Sequence, residues 1–351
     1  MMKRAKNIHC FTSITNNYLP KACILAETLK SHHPEWKFDL VLAEPLINLT
    51  QEKLEFFDNI VTIDELNIPD FDRWVFKHSV MEICTAIKGQ ASHHIISNFG
   101  AEIIIYLDPD IAVFNSLHEL VDLLEDYPII FTPHQNKPST DYDSIFENEV
   151  CSLKHGVYNL GFFAFRNSGQ GKEFLDWWSR RLYDFCYIDF SKGLFTDQRW
   201  CDLAPVFFDK LYIMRKSEYN VATWNITHRE VTTAADGTIL VDGSPLRFYH
   251  FSSYDSGAGI ATVMKYTNED HILRELWNFY RNRLDFYSHG RYNNLKWKYD
   301  FFLNGEPVAQ PMRELYRNRK DLQEYFTNPF DTSRPDGGYC AWYGEPRNHK
   351  Q

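Results

Sequence analysis

The chain has 351 residues, of which 44% are hydrophobic and 24% charged, so it can bury a substantial core. The net charge of −10 argues against nucleic acid as the main partner. The seven cysteines form no C-x-x-C pair and no apolar run is long enough to span a bilayer, so we expect a cytoplasmic protein.

The first predicted unit is a strand, a polar loop and a helix. Residues 7–14 (NIHCFTSI) have the apolar composition of a strand, and residues 18–33 have the apolar spacing of an amphipathic helix. This order is typical of the start of a nucleotide-binding α/β unit, although a G-x-G-x-x-G fingerprint is missing. Asn16, Asn17 and Tyr18 could hold a nucleotide base, with Tyr18 stacking on it. Alternatively, one of the two asparagines caps the helix.

Two further strands and a long helix are predicted next. Residues 38–42 and 60–63 favour strands, and residues 76–98 favour a helix. Lys88 lies on this helix and could reach an anionic site; a solvated lysine is the ordinary alternative.

Residues 103–107 (IIIYL) form a short apolar run of the kind found in a strand buried on both faces. The run ends in Asp108-Pro109-Asp110, and two carboxylates at the end of a buried strand are costly without a partner. A hard divalent cation is a suitable partner because it takes carboxylate oxygens and leaves positions open for phosphates. Ligands also bind at the carboxyl ends of strands in open α/β sheets. The alternative is an ordinary Asp-Pro turn.

The middle of the chain combines predicted elements with a long polar segment. The elements are a helix and two strands, over residues 117–124, 129–133 and 157–166. Residues 134–150 are polar and predict a long loop, of the kind that often forms a lid or a binding loop. Asn159 and Gly161 interrupt the second strand, which indicates either the close approach of a ligand or another backbone, or a β-bulge.

The last third predicts alternating elements followed by a helical tail. They are a helix over 171–185, strands over 206–214, 238–241 and 246–251, and a helix over 271–283. Thr196-Asp197-Gln198 is a possible N-cap, and Asp242-Gly243 is a hairpin turn signal. The tail is rich in aromatic residues and locally basic, and includes Arg291. It could contact an acceptor, a partner subunit or an anionic membrane, or be a solvated helical surface.

Five stretches together resemble GT-A-fold glycosyltransferases, most closely the retaining, metal-dependent family-eight type of bacterial surface-polysaccharide synthesis. In chain order they are FTSITNNYLPKACILAETLK, YLDPD, YNLGFFAFR, TDQRW and HFSSYD. They lie within residues 7–255, and a later region through WKYDFFLNGEPV is a weaker match. One departure is that the family's late motif continues from the histidine to a lysine that holds the diphosphate, whereas His250 here is followed by no such lysine.

The resemblance assigns roles to residues of this chain. Asp108, Asp110 and His250 would bind Mn²⁺ or Mg²⁺. Thr12 and Tyr18 would face the nucleotide, and Lys88 would lie near the donor phosphates or sugar. Asp197 would hydrogen-bond the donor sugar, Gln198 would lie beside the anomeric carbon and Asn159 would lie near the acceptor.

The expected architecture is an α/β GT-A (Rossmann-like) fold with a mixed central sheet and flanking helices. Residues 1–265 would form the nucleotide-sugar-binding catalytic domain, and residues 266–351 a mostly helical, aromatic and basic extension. The resemblance implies a transferase that moves a sugar from a nucleotide-sugar, such as a UDP-sugar, to a glycan or lipid-linked acceptor. It implies a cytoplasmic location, with peripheral membrane contact through the extension and a homo-oligomer as options.

Three alternatives remain open at this point. The chain could be an inverting GT-A transferase, for which Asp197 is the candidate base. It could be a catalytically degenerate carbohydrate-binding scaffold, although Asp108, Asp110 and His250 argue against this. A sugar-nucleotidyltransferase would normally show a glycine-rich phosphate loop near the N-terminus, and FTSITNNYLP contains no glycine.

Overall fold

The computed structural model describes residues 6–47, 55–288, 292 and 294–345. Its strands are β1 (Ile8–Ile14), β2 (Lys37–Leu42), β3 (Asn59–Thr62), β4 (Ile103–Leu107), β5 (Ile111–Val113), β6 (Ile129–Pro133), β7 (Tyr158–Arg166), β8 (Ile188–Asp189), β9 (Leu194–Phe195), β10 (Leu211–Ile213), β11 (Val221–Ala222), β12 (Val231–Thr233), β13 (Ile239–Val241), β14 (Ser244–Pro245) and β15 (Phe248–His250). Its α-helices are α1 (Leu19–His32), α2 (Phe71–Phe76), α3 (Val80–Phe99), α4 (His118–Asp126), α5 (Tyr142–Ser144), α6 (Cys151–His155), α7 (Gln170–Phe185), α8 (Gln198–Cys201), α9 (Ala204–Phe207), α10 (Ala258–Tyr266), α11 (Ile272–Ser288), α12 (Gln310–Asn318), α13 (Lys320–Tyr325) and α14 (Gly338–Gly344).

The central sheet has seven strands in the order β10-β6-β7-β4-β1-β2-β3. Strand β7 runs antiparallel to both of its neighbours, and the other pairs are parallel. The predicted α/β class, with a mixed central sheet and flanking helices, is therefore confirmed. A smaller sheet, β11-β15-β5, lies beyond the carboxyl end of β4. This second sheet matters for function because it contributes a histidine to the candidate site.

Strand β4 shows why the sheet is covered on both faces. Its side chains alternate between two hydrophobic clusters, because successive residues of a strand point to opposite faces. Ile103 and Ile105 belong to one cluster with α1, α4 and α11, whereas Ile104 and Tyr106 belong to the other with α3 and α7. A strand buried in this way needs apolar residues at every position, and all five residues of β4 are buried.

The segment after α10 contributes to both clusters. Helix α11 packs in the cluster of α1, while Trp297 and the helices α12–α14 pack in the cluster of α3. Trp297 donates from Nε1 to the carbonyl of Ala43 at 2.9 Å, so the tail is hydrogen-bonded to the residue after β2. The helical C-terminal extension is confirmed, while its boundary as a separate domain stays a prediction. Arg291 lies outside the described residues.

One local expectation was wrong, and another was right only in part. Residues 134–150 were expected to be a loop, but residues 142–155 are helical, with α5 and α6 joined by a π-helical turn over Ile145–Val150. The Asp242-Gly243 turn was expected to join strands over 238–241 and 246–251. Instead β13 pairs with β12 and β14, and β15 pairs with β11 and β5. The turn itself forms as predicted, because Asp242 and Gly243 have φ of 48° and 81° and join the paired strands β13 and β14; only the predicted second strand differs, since it begins later, as β15, and pairs with β5. In the part of the chain described, no helix combines the length and apolar character that crossing a membrane requires.

Candidate active site

Two aspartates and a histidine converge at the carboxyl end of β4. His250 Nε2 lies 3.0 Å from Asp110 Oδ1 and 3.7 Å from Asp108 Oδ2, and the three candidate ligand atoms lie within 4.8 Å of one another. Strand pairing produces this convergence: β15 runs antiparallel to β5 with His250 opposite Ile111, and the backbone N–H of Phe251 donates to the carbonyl of Asp110 at 2.8 Å.

A buried lysine connects this cluster to a third aspartate. Lys88, on α3, donates from Nζ to Asp197 Oδ2 at 2.7 Å and to the carbonyl of Leu160 at 3.0 Å, and it lies 3.8 Å from Asp108 Oδ1. Tyr106 donates its hydroxyl to Asp108 Oδ1 at 2.7 Å. Sequence reasoning assigned Tyr106 to the core only. Its spacing of two residues from Asp108 could have indicated the contact, because such residues share a strand face.

Asp197 does not act as the helix cap expected from Thr196-Asp197-Gln198. The N-cap position of α8 is Asp197, but its side chain makes no capping hydrogen bond. The buried Thr196 has a left-handed φ of 44°, which is unfavourable for a β-branched residue. The Asp197 carboxylate instead accepts a hydrogen bond from Lys88.

The charges of the cluster influence one another strongly. Burial raises the pKa of Asp108, and Lys88 and His250 counteract this only in part. Burial also acts to raise the pKa of Asp110, but His250 holds it below its ordinary value. The pKa of Lys88 is raised, because the attraction of Asp197 and Asp108 outweighs the effect of burial. The cluster therefore holds three carboxylates close to one lysine and one histidine.

Gly161 leaves the space that the acidic cluster occupies. A Cβ atom at this position would lie 2.5 Å from His250 Cε1 and 2.7 Å from Asp108 Oδ2. The pairing of β6 with β7 shifts register between Phe131 and Thr132, so the strand also contains an irregularity. An irregularity of the kind predicted as a β-bulge is therefore present, and the atoms nearest to a Cβ at Gly161 belong to side chains rather than to another backbone.

The aspartate pair lies where two cavities meet. A cavity of about 270 Å³ is lined by Ser13, Thr15, Tyr18, Cys84 and Tyr106 among others. A second cavity, of about 470 Å³, is lined by Lys88, His134, Asn159, Asp197, Gln198, Trp224 and His250 among others. Met81, Thr85, Asp108 and Asp110 line both. A ligand that contacts the aspartates can therefore extend into either cavity.

Of the two residues predicted to face the nucleotide, Tyr18 lines a cavity and Thr12 does not. Tyr18 lines the smaller cavity, and its hydroxyl donates to Asp255 Oδ2 at 2.6 Å, where Lys21 Nζ also binds at 2.6 Å. Thr12 is fully buried within β1 and lines neither cavity. Sequence reasoning did not single out its neighbour Ser13, which does line the smaller cavity.

Asn16 lies beside the loop after β2 and lines neither cavity. Its backbone N–H donates to Glu44 Oε1 at 2.8 Å, and its side-chain amide donates to the carbonyl of Pro45 at 3.1 Å. The N-cap residue of α1 is Tyr18, which makes no side-chain cap hydrogen bond, so the capping alternative was wrong.

Asn159 and Gln198 line the larger cavity, but both side chains are already hydrogen-bonded. Asn159 Oδ1 accepts from Asn220 at 3.0 Å, and its Nδ2 lies 3.3 Å from His134 Nε2. Gln198 donates from Nε2 to the carbonyl of His155 at 2.8 Å. Burial lowers the pKa of His134 to about 4, so the ring is neutral near pH 7 and can accept from Asn159.

No family model matches the chain. Two curated relatives come from Bacillus subtilis (strain 168), and both are named as uncharacterized proteins. YfnD is 23% identical over 250 residues, covering 70% of this chain and 78% of YfnD. YfnF is 32% identical over 112 residues, covering 31% of this chain and 37% of YfnF.

Several solved glycosyltransferase structures are similar to the chain. The galactosyltransferase LgtC is 15% identical, with a TM-score of 0.45 over 76% of this chain and 99% of LgtC. Mouse xyloside xylosyltransferase 1 is 15% identical, with a TM-score of 0.44 over 71% of this chain and 99% of that one. The glycosyltransferase GlyE of Streptococcus pneumoniae TIGR4 is 15% identical, with a TM-score of 0.46 over 85% of this chain and 67% of GlyE.

Proposed function

We propose that this protein is a metal-dependent glycosyltransferase that moves a sugar from a nucleotide-sugar to a glycan or lipid-linked acceptor. One observation carries the proposal: Asp108, Asp110 and His250 converge where two cavities meet, at the carboxyl ends of the sheet strands. The smaller cavity, with Tyr18, is suited to a nucleoside. The larger one, with Lys88 and Asp197, is suited to the transferred sugar and the acceptor.

The donor set fits a divalent cation. Carboxylate oxygens are the preferred ligands of Mg²⁺, and carboxylates with a histidine suit Mn²⁺ as well. Gly161 leaves room for these side chains to converge. Asp108, Asp110 and His250 would hold the ion, which when bound supplies Lewis-acid stabilisation of the charge that gathers on the leaving diphosphate.

Asp197 is better suited to positioning the sugar than to acting as a base. Its Oδ2 accepts from Lys88 at 2.7 Å and its Oδ1 accepts from Thr196 at 3.1 Å. Both of its carboxylate oxygens already accept hydrogen bonds within the protein, which argues against the inverting alternative. Gln198 is a poor nucleophile, so we propose that the acceptor hydroxyl attacks on the face of the leaving group and that the anomeric configuration is retained.

The finer features belong to the same proposal. We propose a UDP-sugar as the donor, Mn²⁺ or Mg²⁺ as the ion and a cell-surface glycan as the product. A cytoplasmic location, contact of the C-terminal region with the inner membrane, and self-association stay predictions. The degenerate-scaffold alternative differs in one testable respect, because it predicts no metal-dependent turnover.

Two measurements test the proposal. The first is the thermal unfolding midpoint of the purified protein with UDP-, GDP-, dTDP- and CMP-sugars, each with Mn²⁺ and with a chelator. A ligand that binds only the folded state raises the midpoint, so one nucleotide should raise it, and only with metal. No shift with any donor would favour the scaffold.

The second measurement is NMR of the product formed with the donor so identified. The coupling at the anomeric carbon reports its configuration. A retained configuration is expected, and an inverted product would contradict the proposed attack.

A further inference from the structure

A cavity separate from the two above lies where the turn Ile226–His228, strand β12 and the connection from α10 to α11 come together. Its volume is about 340 Å³. The residues that line it include Arg229, Glu230, Thr232, Tyr266, Thr267 and His271. It shares no lining residue with the cavities at the aspartate pair.

Among the residues that the structure describes, Arg229 is a buried cation without a close anionic partner. The residue lines the cavity and is 8% exposed. Among the described residues, its guanidinium makes a single hydrogen bond, from Nη1 to the carbonyl of Tyr219 at 3.0 Å. Within that same part of the chain, no carboxylate oxygen lies within 4.0 Å of it. Burial lowers the pKa of this guanidinium to about 9, and Asp242 and Glu218 counteract this from a distance.

Arg313 shows how the same fold treats a buried arginine with a purely structural role. It donates to the carbonyls of Phe76 and Tyr299 and, at 3.0 Å, to Asp300 Oδ1. A buried charge is costly unless it is paired and hydrogen-bonded. Arg313 is therefore paired and hydrogen-bonded within the protein, whereas Arg229 retains N–H donors that can bind a ligand in the cavity.

The other walls of the cavity also favour a negative ligand. The N-terminus of the 17-residue helix α11 lies at the cavity, and helix N-termini carry a partial positive charge. His271 Nδ1 accepts from the backbone N–H of Leu273 at 3.2 Å, so the neutral ring carries its proton on Nε2 and can donate from there. The exposed Glu230 is the opposing charge among the lining residues.

We propose that this cavity binds an oxyanion, a phosphate or carboxylate group, through the Arg229 guanidinium at the N-terminus of α11. The planar guanidinium presents paired N–H donors that match two oxygens of such a group. The proposal does not depend on the glycosyltransferase assignment, because its residues are distinct from those of the aspartate site.

Two sources of the oxyanion share this chemistry. It can be a free ion, or the charged group of a larger substrate. The second source is consistent with the position of Tyr266, which lines this cavity. Its hydroxyl donates at 2.8 Å to Glu147, which lines the larger cavity at the aspartate pair.

The test measures thermal unfolding midpoints of the full chain in inorganic phosphate and in sodium chloride of equal ionic strength. A chelator is present, so that any bound metal ion is removed from the aspartate site. Phosphate is expected to raise the midpoint of the wild type more than chloride does. Arg229→Met is expected to abolish the difference, and Glu230→Gln to increase it, because it removes the opposing charge. The general stabilising effect of phosphate on folded proteins is common to all three proteins and cancels in the comparison.

Equal phosphate shifts in the wild type and Arg229→Met would overturn the proposal, as would no phosphate-specific shift in the wild type. If Arg229→Met does not fold, Glu230→Gln decides, since an unchanged shift in that variant would also overturn it. Repeating the wild-type measurement with glycerol 3-phosphate and with acetate separates the sources. A shift with the ester indicates the charged group of a larger molecule, and a shift with inorganic phosphate alone indicates the free ion.

Discussion

Arg313 and Lys88 are both buried cations, but their surroundings differ. Arg313 is enclosed by carbonyl oxygens and Asp300, and it lines neither cavity at the aspartate pair. Lys88 lines the larger cavity beside Asp197 and Asp108. A cation whose N–H donors are hydrogen-bonded within the protein stabilises the fold. An excess of carboxylates that face a cavity lowers the stability of the fold instead, so it indicates a ligand.

The largest effect on activity is expected for a substitution among the aspartates near Lys88. Asp110→Ala removes one of the three candidate metal ligands, so we expect transfer to fall by roughly 100-fold or more, since a bound ion contributes several kcal/mol. The unfolding midpoint should change little, because the substitution also reduces repulsion with Asp108. The measurement is initial rates with Mn²⁺ alongside thermal unfolding, with Asp236→Ala on an exposed turn as the control. Wild-type rates in Asp110→Ala would remove the metal from the mechanism.

The opposite result, a loss of stability without a loss of activity, is expected for Arg313. Arg313→Met leaves the carbonyls of Phe76 and Tyr299 without their donor, and we expect unfolding free energy to fall by about 2–4 kcal/mol. Turnover per folded molecule should be unchanged. Denaturant unfolding measures the loss, and Arg319→Met, at an exposed pair with Asp321, is the matched control. If Arg313→Met had normal stability and impaired turnover, Arg313 would have a functional rather than a structural role.

A smaller effect, on metal affinity, is expected at Gly161, which lies against the acidic cluster. Gly161→Ala places a methyl group against His250 and Asp108, so we expect metal affinity to fall about 10- to 100-fold, as it does when ligand orientation is disturbed. Titration of Mn²⁺ by calorimetry measures this directly. Gly344→Ala is the control, because its added Cβ would have no neighbour within 4 Å. Equal affinities in the two variants would show that Gly161 has no part in holding the ligands.

The smallest effect, on KM, is expected at Glu147, which lines the larger cavity. Glu147 accepts from Lys265 Nζ and the Tyr266 hydroxyl, both at 2.8 Å, and links the helical segment over 142–155 to α10. Exposed ion pairs contribute little to stability, so Glu147→Gln should leave the unfolding midpoint almost unchanged and should change KM by no more than about fivefold. Steady-state kinetics measure this, with Glu324→Gln as the control. A loss as large as that of Asp110→Ala would place Glu147 among the catalytic residues.

Local signals were sufficient for the seven strands of the central sheet and for the acidic pair. Residues 103–107 are apolar at every position, which is characteristic of a strand covered on both faces, and Asp108 and Asp110 follow them directly. The alternation of such runs with amphipathic helices predicted the α/β class. These features depend on neighbours within a few positions, so no knowledge of distant contacts was needed.

Other features depend on distant contacts and could not be derived from local patterns. His250 reaches Asp110 because β15 pairs with β5, whereas the sequence favoured pairing of residues 246–251 with residues 238–241. Lys88 and Asp197 are 109 residues apart in the chain, yet they form a buried ion pair. Arg229 is one basic residue among many until its burial is known. Strand pairing and burial arise from the packing of the whole chain, and they decide which charged residues face a cavity and which are satisfied within the protein.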